Sequence, residues 1–156
     1  MTDTLFARII RREIPADIVY EDDDVLAFRD VHPQAPVHVL FVPRTAVATL
    51  NELTDADALG VGKLVLAAAR YAKTQGFAQN GYRVVINCNA DGGQTVFHIH
   101  LHLLAGRQAR GLGRRQRPGR VAGDRADLGV WERSDRLEPA LEQLVGPRPS
   151  FTASFI

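Results

Sequence analysis

From residue 94 to residue 104 the chain alternates almost strictly between apolar and polar side chains: Gln94-Thr95-Val96-Phe97-His98-Ile99-His100-Leu101-His102-Leu103-Leu104. A period of two, built from β-branched and aromatic residues, predicts a strand. Other patterns surround it. Leu5, Phe6, Ile9 and Ile10 fall on one side of a 3.6-residue period and predict a short helix over residues 4–12, with Asp3 or Thr4 as cap and Pro15 as terminator. Residues 18–20 and 25–29 read as two short strands about the acidic turn Glu21-Asp22-Asp23-Asp24, a solvated hairpin. Residues 37–43 are nearly continuously apolar, which predicts a buried strand ended by Pro43. Residues 54–75 predict the one long helix. Thr54 caps it with Asp57 as partner, Val61, Leu64, Val65, Ala68 and Ala72 form the buried stripe, and Gly76 stops it. Residues 81–88 predict one further strand, paired as a hairpin with the histidine-bearing one. The expected fold is α+β: a mainly antiparallel sheet of roughly five strands, with the long helix and a short N-terminal helix set against one face.

Composition adds bounds. A chain of 156 residues suits one domain with a real core. Near-balanced charge gives no global basic field for nucleic acid. The balance hides a contrast, because residues 1–106 are net −3 whereas residues 107–156 are net +4, with arginine as their only basic residue type. Residues 107–156 are expected to form a poorly ordered arginine-rich extension with a weak helix around 137–144. It reads either as a basic tail able to touch nucleic acid or acidic partners, or as a segment with no evolved fold. Cys88 is the single cysteine, so no internal disulfide is possible, and a small core residue is the expected role. The N-terminus lacks a signal-like pattern and no apolar run reaches the ~18 residues of a membrane span, so the expected location is cytoplasmic.

The chemistry concentrates in the alternating run. Side chains i, i+2 and i+4 share a strand face, so His98, His100 and His102 form a row about 6.5 Å apart. Asp91-Gly92-Gly93 just before it supplies a tight turn whose backbone can approach a phosphate closely. A neutral imidazole is a good nucleophile near pH 7. His100, flanked on both sides, is the candidate nucleophile, and His102 the donor to a phosphate oxygen. Thr95 and Gln94 stand where a leaving group would depart. A metal site is the rival reading, yet three imidazoles in a straight row do not converge at ~2.1 Å, so no metal and no organic cofactor is expected. A third reading is a nucleotide-binding protein without turnover.

The sequence Gly92-Gly93-Gln94-Thr95-Val96-Phe97-His98-Ile99-His100-Leu101-His102-Leu103-Leu104 resembles the signature of the histidine-triad (HIT) superfamily. Leu5-Phe6-Ala7-Arg8-Ile9-Ile10, Ala27-Phe28-Arg29-Asp30 and Pro33-Gln34-Ala35-Pro36-Val37-His38 extend the likeness over residues 4–107, toward the Hint-like nucleoside phosphoramidase branch. The resemblance implies a purine nucleotide substrate attacked at its α-phosphate through a nucleotidyl-histidine. The dinucleotide polyphosphate hydrolases of the same superfamily are the alternative. It implies that His98 and His38 support His100 and His102, that Asp30 accepts from the ribose hydroxyls, and that Asn87 and Gly93 lie near ribose or phosphate. Leu5, Phe6, Ile9, Phe28 and Val31 would line the base pocket, and two subunits would pair through the long helix and a strand. The chain departs from that branch after the triad: the usual Trp-Pro-Pro-Gly segment is missing, and Trp131 lies in a different context.

Overall fold

The computed structural model describes residues 3–109. In chain order it has α1 (Leu5–Ile10), β1 (Ile18–Glu21), β2 (Val25–Arg29), β3 (Val37–Pro43), α2 (Ala58–Thr74), β4 (Arg83–Val85) and β5 (Leu101–Ala105). The strands form one sheet in the order β1-β2-β3-β5-β4, and every neighbouring pair is antiparallel. This is the expected α+β architecture.

The two helices take opposite faces of the sheet rather than one. Val25, Ala27, Val39, Phe41, Leu101, Leu103 and Ala105 pack against Leu64, Ala67, Ala68, Tyr71 and Ala72 of α2. The alternate residues Leu26, Phe28, Leu40 and Val42 pack against Phe6 and Ile9 of α1. Covering on both sides explains why β3 is apolar almost throughout, since neither face meets water. His38 belongs to the α1 side of β3. Its β5 neighbour across the ladder is Leu104, and Leu40 faces His102, so the two histidines share that face.

The long helix starts later than the sequence suggests. Thr54 and Asp57 do form the reciprocal capping box, but around a 3-10 turn (Asp55–Asp57) that leads into α2. Its buried stripe is Leu64, Ala67, Ala68, Tyr71 and Ala72, an i, i+3, i+4, i+7, i+8 pattern. Val65, expected in the stripe, is exposed, because Tyr71 sets the rotation by packing its ring on Phe41 at 5.7 Å and Phe77 at 6.1 Å. Gly76 takes a positive φ of 81° just past the helix, as a C-terminal glycine should.

Both strands of the last hairpin are shorter than their patterns. β4 holds only Arg83–Val85. β5 begins at Leu101, so His98 and His100 precede it. For β5 the limit lies at Pro43, which ends β3 opposite Ile99 and offers no N–H to continue the ladder. Upstream of Leu101 the chain follows the 44–49 loop instead, with Ile99 N donating to Val47 O at 2.8 Å. The expected helix at 137–144, and the arginine-rich segment beyond residue 109, lie outside the described residues.

Candidate active site

The site is built where α1, the end of β2, β3 and the run into β5 meet. Burial decides the charge state of its histidines. Loss of water lowers the pKa of His38, His98 and His100 below the ordinary imidazole value, and pushes His102 down to about 3 with His100 and His38 adding to the effect. The Asp30 carboxylate pulls His38 the other way without overcoming its burial. All four rings are therefore neutral near pH 7, and a neutral ring carries one N–H.

The partners then fix which nitrogen holds it. A carbonyl can only accept, so His98 Nε2–H donates to Pro43 O at 2.8 Å. The bare Nδ1 of His98 accepts from the Thr4 hydroxyl at 3.3 Å. The backbone carbonyl of His98 accepts from His100 Nδ1 at 2.8 Å, which leaves His100 Nε2 as the lone pair. On the neighbouring ring pair, Gln34 N–H donates to His38 Nδ1 at 3.1 Å, so His38 Nε2 carries the proton and donates to His102 Nδ1 at 2.9 Å. His102 Nε2 must then carry its own proton. That atom is buried and has no partner among the described residues. The rings of His100 and His102 lie 4.8 Å apart, tilted toward each other more closely than an ideal strand spacing. A lone pair and an unpaired N–H thus stand side by side.

The surroundings sort the remaining expected residues. Phe6 sits edge-on to His100 at 4.9 Å, to His98 at 6.2 Å and to Phe28 at 5.6 Å, so it joins core and triad. Ile9 is buried beside it, Leu5 is half-buried, and Val31 stands 72% exposed. Asp30 follows β2 directly. Its Oδ1 accepts from His32 N at 2.8 Å, and its Oδ2 lies 3.4 Å from His38 Nε2. Asp30, His38 and His102 offer one ligand atom each, all within 4.8 Å of one another, a convergence that the row of three histidines does not provide. The hydrogen bond between His38 Nε2 and His102 Nδ1 at 2.9 Å already joins two of these three side chains.

The glycine turn closes the other side. Gly93 has a φ of +77°, and an added Cβ on Gly92 would fall 2.3 Å from Cys88 O, so the backbone passes too close for any side chain there. Asn87 Nδ2 donates to Gly93 O at 3.4 Å, and Asn87 Oδ1 is buried without a partner among the described residues. Thr95 is exposed at the turn's exit. Gln94 differs from expectation. Its Oε1 accepts from Asn89 N at 2.9 Å and its Nε2 donates to Ala48 O and Val96 O, so the side chain staples the turn to the 44–49 loop and does not project toward a leaving group. Thr4, the Pro43 carbonyl and Gln34 N–H were not foreseen as site groups. They lie 94, 55 and 4 residues from the rings they hold, and two are backbone atoms, which no residue pattern marks.

Comparison with known proteins agrees with this geometry. The HIT domain pattern matches residues 11–109. A purine nucleoside phosphoramidase of Escherichia coli K12 is 50% identical over 105 residues, 67% of this chain and 88% of that protein. Among solved structures, a histidine triad protein of Clostridium difficile superposes with a TM-score of 0.70 at 42% identity, over 72% of this chain and 98% of that one. A HIT family hydrolase of Legionella pneumophila gives 0.66 at 48% identity, over 67% and 93%. With the family pattern spanning residues 11–109 and a relative sharing half of its aligned residues, the chain belongs to the HIT-domain family and is a hydrolase of the HIT type.

Proposed function

We propose that this hydrolase cleaves purine nucleoside phosphoramidates at the α-phosphate through a covalent nucleotidyl-His100, releasing the nucleoside monophosphate. The observation that carries the reading is the pair of ring nitrogens with opposite roles: His100 Nε2 as lone pair and His102 Nε2–H as a buried donor with no partner among the described residues. A buried unpaired donor costs about 1–3 kcal/mol, which a phosphate oxygen would relieve. In the first step His100 Nε2 forms a bond to phosphorus as the P–N bond to the leaving amine breaks, the electron pair leaving with nitrogen. Thr95, at the exposed exit, orients that amine or passes it a proton. The ring becomes cationic, and the His98 carbonyl on its Nδ1–H steadies the charge. His102 Nε2–H meets the negative charge that grows on a non-bridging oxygen. Water then attacks phosphorus and gives up a proton that replaces the one spent on the amine, the P–N bond to His100 breaks, and its electron pair returns to Nε2.

Asp30, with its Oδ2 3.4 Å from His38 Nε2, is suited to accept from the ribose hydroxyls, with Asn87 and Gly93 on the phosphate side. Leu5, Phe6, Ile9, Phe28 and Val31 supply the apolar surface for the base. The name of the Escherichia coli relative, half of whose aligned residues are shared, favours the phosphoramidate over a dinucleotide polyphosphate. We infer further that two subunits pair through α2 and β4. Leu59, Val65 and Leu66 of α2 are 70%, 43% and 53% exposed, and β4 is an edge strand with Val84 exposed.

The test is rapid mixing with adenosine 5′-phosphoramidate, quenched in milliseconds and read by intact-protein mass spectrometry. An adenylate adduct on His100 is expected, absent in His100→Ala, whose kcat should fall on the order of 10⁴-fold. No adduct at any time, an adduct elsewhere, or a higher kcat/KM for diadenosine polyphosphate would each defeat the reading.

A further inference from the structure

We propose that Thr4 is a positioning residue for the nucleophile: its hydroxyl, by donating to His98 Nδ1, fixes the ring whose own backbone carbonyl aims His100. The inference rests on the function proposed above, in which His100 attacks phosphorus. Thr4 is the N-cap of α1, where its oxygen accepts from Ala7 N at 3.1 Å. That use takes a lone pair and leaves the O–H free to donate. The hydroxyl lies 3.3 Å from His98 Nδ1, the one nitrogen of that ring that the Pro43 carbonyl leaves without a proton.

His98 is fully buried and so has no water to take over either contact. Its ring is held at both ends, by β3 through Pro43 and by α1 through Thr4. The carbonyl that receives His100 Nδ1–H belongs to this same residue, which lies outside the strand ladder. The peptide plane that carries this carbonyl is held on its far side by Ile99 N–H donating to Val47 O at 2.8 Å, and His98 N donates to Val96 O at 2.9 Å, so the clamped ring adds the side-chain hold on a residue that no strand partner fixes. The same hydroxyl begins the helix that brings Phe6 against both His98 and His100. One side chain therefore couples the base-pocket helix to the placement of the nucleophile.

Capping and donation are separable. Glycine is nearly as good an N-cap as threonine but has no hydroxyl, valine lacks both functions, and serine keeps both. Thr4→Gly is expected to lower kcat for adenosine 5′-phosphoramidate about 5–30-fold, the cost of one neutral hydrogen bond in orientation, with KM within twofold. Thr4→Ser should stay within twofold of wild type, and Thr4→Val should match Thr4→Gly in kcat with a lower Tm. The ring spectra are the independent readout. In nitrogen-15 spectra of histidine-labelled protein at pH 7.5, His98 Nδ1 should shift as its donor disappears in Thr4→Gly, and the His100 Nδ1–H resonance should broaden. Unchanged ring signals, or changed ring signals with wild-type kcat, overturn the proposal. Should wild type fail to turn over the phosphoramidate, the function proposed above has failed, and the spectra of His98 and His100 alone decide whether Thr4 sets their geometry.

Discussion

Each histidine of the site is held neutral by burial, and neutrality is a cost to the fold in acid. In the unfolded chain an imidazole titrates near 6.5. In the folded chain all four site rings titrate lower, His102 at about 3. A depressed folded pKa means that stability is whole above about 6.5 and is lost as pH falls toward the folded values, because the unfolded chain takes up protons that the folded chain refuses. Tm is therefore expected to be flat from pH 8 to 7 and to drop steadily from pH 6.5 to 5. Scanning calorimetry across that range checks it, and a Tm that rises on acidification would contradict neutral buried rings. The catalytic profile should run the other way while the chain stays folded, with activity holding below pH 6.5 where an exposed imidazole nucleophile would already be half protonated. At this scale the residue types were plain in the sequence, since a row of alternating histidines is a strong signal. Their tautomers were not, because these depend on Pro43 O, Gln34 N and a threonine hydroxyl far away in the chain.

Local pattern read correctly wherever the element made its own contacts. β2 and β3 match their expected residues, and the capping box at Thr54 formed as its spacing required. Pattern misled where a neighbour set the limit. The alternation through residue 98 is real, yet Pro43 leaves those residues without a ladder partner, and Tyr71 turns α2 so that Val65 faces outward. The glycine turn shows the same dependence in its sharpest form. Asp91-Gly92-Gly93 reads as a turn from sequence, but only the structure shows that Gly92 lies against the Cys88 backbone. Gly92→Ala is accordingly expected to lower stability by about 1–3 kcal/mol, because the contacted atom is a carbonyl that cannot rotate away. It should also raise KM, since the turn sits beside Asn87. Denaturant titration and initial rates measure both, and a variant with unchanged midpoint would show that the backbone relaxes freely.

For the whole molecule, the unpaired edge of the sheet and the outer face of α2 matter together. Gly60 and Gly62 have open space where a Cβ would be, so a second backbone could approach the helix closely beside Leu59 and Leu66. The subunit pairing inferred above makes a direct demand on solution mass: the wild-type chain should sediment as a dimer, and Leu66→Asp, which places a charge on that face, should be monomeric at micromolar concentration. Analytical ultracentrifugation of both answers it, and a monomeric wild type would remove the inference. Among the described residues no helix is long and apolar enough to cross a membrane. The arginine-rich extension expected after residue 106 lies almost wholly outside the described residues, and the HIT pattern stops at residue 109.

The sequence by itself determined the strands, the long helix, the place of the turn and the residue types gathered at the candidate site. These follow from periodicity, capping and backbone permissiveness, which are local. Only the tertiary structure decided which sheet face each helix covers, where the histidine strand begins and which ring nitrogen holds each proton. Those depend on contacts between segments far apart in the chain, made in part by backbone atoms that every residue possesses and that no pattern of side chains can single out.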